Sequence, residues 1–217
     1  GGSKEAAKPA EQTTTTASAK LTGEVNVYNW LEYIPEKYVS NFEKELGLKV
    51  NYGTYESDED LNAKLITGNS GYDVVVPGAA YAEMHIKQGK YLKLDKSKLP
   101  NYKNLDPKLM AQIAKMDPNN EYLVPWAWGF TGVGINEAKV KKALGDMPMP
   151  SNPFDLVFNP AYSSKLKTCG IFMLDSPSEI LPVVLQYLGK DPSSNNLADY
   201  TASLEMLKKV RSDESNI

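Results

Sequence analysis

The residues Val27 to Pro35 read VYNWLEYIP. Trp30 and Tyr33 offer aromatic faces, and Glu32 between them offers a carboxylate. An ammonium group over a ring gains about 0.5–1 kcal/mol when exposed and ~2 kcal/mol or more when desolvated. A carboxylate adds a charge-assisted hydrogen bond. Aromatic faces around one acid therefore suit an alkylammonium ligand, whose methylenes also seek apolar contact. A plainer role stays open, with Trp30 a core residue and Glu32 an acid at a helix start. A second acid, Glu179, stands in LDSPSEILPVVLQYLG. It falls in a helical first turn that Ser176 or Ser178 can cap, where simple dipole complementarity also explains it. Asp175 ends a strand pattern and reads as ligand-facing or as a turn residue.

Other reactive side chains are few. The chain holds one histidine, His85, and one cysteine, Cys169. Zinc sites built on these types lack ligands, and no disulfide framework within the chain follows from one cysteine. His85 sits in YAEMHIKQG, which reads as a polar helix face, and no nucleophile or orienting acid is in view to complete a triad. Cys169 reads as a small buried apolar residue. No phosphate-loop or dinucleotide glycine pattern occurs. Enzyme chemistry, a cofactor and a metal are therefore not expected. Trp126 and Trp128 alternate along PWAWG, so one can face a cleft and one the core, and packing is the expected fate of both.

The 217 residues suffice for one large domain or two small ones. A formal net charge of -3 argues against nucleic acid as a partner, since phosphate binding needs a basic surface. No apolar run approaches the ~20 residues of a membrane span. Residues 1–20 hold no large apolar side chain and a run of four threonines, so a flexible tether is expected there. Its Gly-Gly-Ser start resembles the stalk after the lipid-carrying cysteine of a bacterial lipoprotein. That cysteine is not in this sequence, and a plain linker reads the same way.

From Leu21 the pattern alternates strand and helix. Residues 24–28 read as a strand. A helix follows over 35–46, with Tyr38, Val39, Phe42 and Leu46 on one face, Pro35 in its first turn and Gly47 at its stop. A second strand covers 48–52. Ser57 caps a second helix with Asp58, Glu59 and Asp60 in its first turn, Leu61 and Leu65 buried, and Gly68 at its end. Residues 72–76 (YDVVV) read as a buried parallel strand, and Pro77-Gly78 opens a third helix ending at Gly89. This order implies a parallel sheet covered by helices, with ligands beyond the carboxyl ends of the strands. Residues 30–33 and 78–81 share that end and should face one crevice. From Tyr122 a second section begins: extended segments YLVPWAW and TGVGIN, loosened by Gly129, Gly132 and Gly134, a helix over 137–144, a strand over 169–174, and helices over 178–188 and 199–210. The expected division is a first α/β lobe over 21–127 and a second, incomplete lobe over 128–217.

Taken in order, YNWLEYIP, YDVVVPGAAY, LDKSKLPNYKNLDP, PWAWGFTGVGIN, LKTCGIFMLDSPSEI and YLGKDP resemble the periplasmic polyamine-binding proteins of ABC transporters, the putrescine and spermidine receptors. The match runs from Leu21 to about Val210 and is nearest the putrescine-type branch. The resemblance implies an α/β, two-lobe periplasmic-binding-protein fold of type II that closes on ligand about a hinge. It implies that Trp30 stacks on the polyamine chain beside Leu31, Glu32 and Tyr33, that Ala80 and Tyr81 belong to the same first-lobe wall, and that Glu179 of the second lobe pairs with an amine. It implies ABC-transporter membrane subunits as partners and a place in the periplasm or at the outer face of the inner membrane, with lipid anchoring as a further expectation.

Three departures from the family pattern stand out. A small hydroxyl residue is usual where Leu31 stands. Ser or Tyr is common where Gly78 and Ala80 stand. Members also run on well past this length, so the chain reads as an N-terminal portion whose second lobe is unfinished. The departures keep other readings open: a receptor for a different solute, an enzyme or sensor on the same fold, or a non-binding fragment that associates by exchanging segments.

Overall fold

A computed structural model of the chain describes residues 22–212, so the tether expected over 1–20 lies outside the described residues. The chain separates into two compact units, Gly1–Trp126 and Ala127–Ile217.

The first unit is built on β1 (Glu24–Trp30), α1 (Glu36–Leu46), β2 (Lys49–Tyr55), α2 (Asp58–Ile66), β3 (Val74–Val75), α3 (Ala79–Lys87) and the short α4 (Pro107–Ile113). The strands are parallel in the order β2-β1-β3. Local signals place the helix ends. Gly47 closes α1 at φ 77°, a left-handed position that glycine takes without steric cost. Ser57 caps α2 by accepting the Asp60 N–H at 3.1 Å, with Asp58, Glu59 and Asp60 in the first turn.

Tyr28, Tyr55 and Leu61 form the buried centre of this unit, with Trp30, Leu65, Tyr72 and Val75 packed on it. Tyr28 stacks on Tyr72 with centroids 4.3 Å apart and planes 7° apart. Gly53, the register partner of Tyr28, gives that ring room, since a Cβ there would meet Tyr28 Cδ1 at 3.1 Å. Two expectations shift. β3 is two residues long and Val74 is 47 % exposed, because β3 is an edge strand paired only to β1 among the described residues. The apolar stripe of α1 is half covered: Val39 and Leu46 are partly buried, whereas Tyr38 and Phe42 are exposed.

His85 is corrected outright. It is fully buried rather than on a polar face. Its Nδ1 lies 2.7 Å from the Tyr91 hydroxyl and its Nε2 2.8 Å from Asn62 Oδ1. The amide oxygen can only accept, so Nε2 carries the proton and Nδ1 accepts from Tyr91. The imidazole thereby joins α2, α3 and the segment after Gly89. Downstream, the buried carboxylate of Asp117 accepts the backbone N–H groups of Glu121, Tyr122 and Leu123 and so fixes the start of the 122–126 segment.

The second unit is helical among its described residues: α5 (Glu137–Leu144), α6 (Asp155–Phe158), α7 (Pro160–Ser163), α8 (Pro177–Tyr187) and α9 (Leu197–Ser212). Val140, Leu144, Leu156 and Leu166 make one buried cluster, and Phe158, Val184 and Val210 another. Burial and the Asp155 carboxylate, which accepts the Tyr187 hydroxyl at 2.5 Å, push that phenol's pKa up to about 12. The expected strand over 169–174 and the extended segments over 122–128 and 131–136 join no sheet among the described residues. A strand is defined by its partner, and here extended backbone finds none. An apolar cavity of about 670 Å³ lies beside these segments, lined by Phe130, Ile135, Phe154, Phe172 and Val183 among others, with Phe130 and Phe172 almost fully exposed. Trp126 and Trp128 are exposed rather than packed. Cys169 is half-buried rather than buried, and its thiol donates to the Lys139 carbonyl at 3.5 Å.

Burial, with a smaller contribution from Lys90, lowers the pKa of His85 below its ordinary value of 6.5. The unfolded chain then binds a proton that the folded chain refuses. The stability this histidine contributes is complete above about pH 6.5 and is lost as pH falls below it. Urea unfolding from pH 7.5 to 5 should show that loss, at a slope of at most about 1.4 kcal/mol per pH unit. His85→Gln should flatten this part of the profile, and an identical profile in the variant would refute the assignment.

Candidate functional site

The carboxyl end of the first unit's sheet is drawn together by one carbonyl. Val76 O accepts the Trp30 Nε1–H at 2.7 Å and also the Tyr55 hydroxyl. The ends of β1 and β2 are thus tied to the chain leaving β3. Leu31 N–H donates to Tyr55 O at 2.8 Å, which carries the β1–β2 pairing one residue past the strands. These bonds bring Trp30 and Leu31 to the same end of the sheet as Val76, from which the chain leads into residues 78–81.

Trp30 to Tyr33 form a tight turn closed by Tyr33 N–H to Trp30 O at 3.3 Å. Glu32 takes φ 64° in it. A positive φ at the third turn residue marks type II character, for which glycine or asparagine is the usual choice. A glutamate there costs of order 1–2 kcal/mol in local strain. The turn leaves Glu32 exposed and Tyr33 47 % exposed, while Trp30 is half-buried with its N–H engaged. The Trp30 and Tyr33 rings lie 6.1 Å apart, and Trp30 and Tyr55 lie 4.8 Å apart. One part of Trp30 packs on the core, and another lies beside the open ring of Tyr33.

Leu31 is placed differently from its neighbours. With Thr54, Tyr55, Glu56, Asp60 and Lys64 it lines a cavity of about 610 Å³ to which Trp30, Glu32, Tyr33, Ala80 and Tyr81 do not contribute. Ala80 is exposed in the first turn of α3. Tyr81 is half-buried, and burial, then the charges of Glu59 and Asp58, raise its pKa above the ordinary phenol value. Tyr55 is raised much further, chiefly by burial and then by Asp58, so its hydroxyl stays a donor to Val76.

In the second unit Glu179 lies in the first turn of α8, half-buried. It does more than complement the helix dipole. Its Oε2 accepts the Thr131 hydroxyl at 3.0 Å across 48 residues of sequence, so the TGVGIN segment orients the acid. Ser176 is the N-cap residue of α8, and its hydroxyl lies 3.1 Å from that of Ser178 rather than bonding the helix N–H groups. Asp175 is exposed. Sequence reading passed over the groups that hold these side chains in place: Tyr55, the Val76 carbonyl and Asp58 in the first unit, and Thr131 in the second. The Thr131 hydroxyl amid glycines was the one signal available, since the others act through tertiary contact. Among the described residues no group of three or more His, Cys, Asp or Glu side chains is placed to hold a metal, and no helix is long and apolar enough to cross a membrane.

Comparison with known proteins adds an independent line. The profile of the bacterial extracellular solute-binding proteins matches residues 37–215. The putrescine-binding periplasmic protein SpuD of Pseudomonas aeruginosa is 49 % identical over 187 residues, 86 % of this chain and 51 % of SpuD. The putrescine-binding periplasmic protein PotF of Escherichia coli is 46 % identical over 188 residues, 86 % of this chain and 50 % of PotF. A solved Listeria monocytogenes protein, provisionally assigned to spermidine/putrescine ABC transport, superposes with a TM-score of 0.74 at 28 % identity, covering 90 % of this chain and 56 % of that one. The chain spans about half the length of the curated relatives it matches. The helix-covered parallel sheet of the first unit accords with the expected α/β binding-protein architecture. On the profile match and these identities, the chain belongs to the bacterial extracellular solute-binding protein family.

Proposed function

We propose that this chain takes part in capturing a polyamine, putrescine or spermidine, outside the cytoplasm and delivering it to the membrane subunits of an ABC transporter. The observation that carries the proposal is the turn from Trp30 to Tyr33. It puts an acid at a positive φ in the turn that joins two aromatic residues, whose rings lie 6.1 Å apart, at the carboxyl end of a parallel sheet, where ligands of such sheets bind. Strain of that kind persists where the surroundings over-determine it and function uses it. The putrescine-binding activity named for SpuD and PotF supports the same reading.

The chemistry asked of the site is binding, with no bond made or broken. The rings of Trp30 and Tyr33 cover methylenes and attract the ammonium ends. Glu32 faces water until ligand arrives and neutralises one amine. In the second unit Glu179, held through Oε2 by Thr131, is a further acid suited to an amine. Tyr81 and Ala80 complete the wall of the first unit. Leu31 contributes through its own groove beside Tyr55, so the hydroxyl expected at that position is not replaced in kind. Binding drives a receptor only when the ligand prefers one conformation, and that difference sets the signal a transporter reads. Retention at the outer face of the inner membrane by an N-terminal lipid belongs to the same proposal, on the polar composition of residues 1–20.

Calorimetry on this chain should show putrescine or spermidine binding at micromolar level or better. Trp30→Ala and Glu179→Gln should each weaken it at least ~10-fold, about 1.4 kcal/mol. Wild-type affinity in both variants would remove the site assignment, and no heat with any polyamine would remove the receptor reading. Glu32→Gly should move two quantities in opposite directions. The unliganded chain should gain about 0.5–1 kcal/mol by urea unfolding as the left-handed strain is relieved, while amine affinity falls. A destabilised Glu32→Gly would show that the turn stores no strain.

A further inference from the structure

Gly78 precedes α3 with φ −64° and ψ 153°. Any residue adopts that extended geometry, so the backbone does not call for glycine here. Space does. A Cβ at position 78 would stand 2.3 Å from Asp58 Oδ2 and 3.2 Å from its Cγ. The Asp58 carboxylate thus occupies the place that a side chain at 78 would take. Its other oxygen accepts the Gly78 N–H at 2.8 Å. Asp58 is 3 % exposed and is the first residue of α2, where the helix dipole favours an anion.

Tyrosines of this end of the sheet feel that charge. Asp58 is among the causes that raise the pKa values of Tyr55, Tyr81 and Tyr91. Tyr55 donates to the carbonyl that also holds Trp30, and Tyr81 lies in the first turn of α3. Glu59 and Asp60 follow in the same turn of α2 and add charge of the same sign. The segment from Val76 to Gly78 that enters α3 therefore has a carboxylate lodged against its backbone at Gly78.

We propose that Asp58 is a specificity-determining residue of the amine site. With Gly78 clearing the space, its carboxylate positions the 76–78 segment that enters α3 and supplies a negative charge that strengthens binding of dicationic amines. The inference rests on the polyamine reading and deepens it.

Asp58→Asn removes the charge and keeps an oxygen for the Gly78 N–H. Calorimetry on this chain should show putrescine affinity ~5–10-fold weaker, with the unliganded melting temperature within about 2 °C of wild type. The dependence of the putrescine Kd on salt, between about 20 and 300 mM, should also become shallower, which a merely structural role would not cause. Gly78→Ala keeps the acid but drives it from its place, and should show the same weakening and the same shallower dependence. It carries the test should Asp58→Asn not fold. A putrescine affinity within two-fold of wild type, or an unchanged salt dependence, overturns the role of Asp58 while leaving the receptor reading intact. Absence of putrescine binding in the wild type overturns both.

Discussion

The carbonyl oxygen of Val76 accepts from the Trp30 indole and from the Tyr55 hydroxyl, and the site end of the first unit depends on it. Each donor comes from the last residue of a different strand, and the acceptor lies just past the third. A carbonyl has two lone pairs, and at the end of a short edge strand both need partners. Two aromatic donors meet that need and are fixed by it. The ring of Trp30 cannot swing toward solvent without abandoning a half-buried hydrogen bond, so its face keeps one orientation. An aromatic face held that way binds a flexible chain with less ordering cost than a mobile one.

That constraint explains the turn that follows. With Trp30 anchored by its indole and Leu31 bonded to Tyr55 O, the chain must reverse within two residues to reach Pro35 and α1. The reversal runs through a positive φ at Glu32, as in a type II turn. Glycine would satisfy the backbone, but glycine carries no charge. The strained glutamate is the local choice that makes sense if a carboxylate is wanted beside Tyr33.

Elements with strong local signals were legible in the sequence. Gly47 as a left-handed stop, Ser57 as a cap and residues 137–144 as a helix each follow from a few neighbouring residues and stand as read. Trp30 and Glu32 stood out as a pair because an acid between aromatics is rare enough to ask for a reason, and their role in binding stands as a proposal. His85 was misread because its burial depends on Asn62 and Tyr91, which sequence spacing does not bring near it. The extended segments of the second unit look like strands residue by residue, yet a strand needs a partner, and propensity does not supply one. Trp126 and Trp128 failed for the same reason: alternation predicts two faces but not what covers them.

Two departures from local preference meet at the same end of the sheet. A glutamate sits where a glycine is preferred, and a glycine sits where backbone geometry would accept any residue. Natural sequences are locally consistent except where function demands otherwise. Each departure has the same electrostatic consequence. Glu32 sets an acid outward beside the aromatic faces, and Gly78 admits Asp58 inward against the loop. An apolar or neutral ligand would need neither. Together they put negative charge at the end of the sheet where a cationic ligand is proposed to bind.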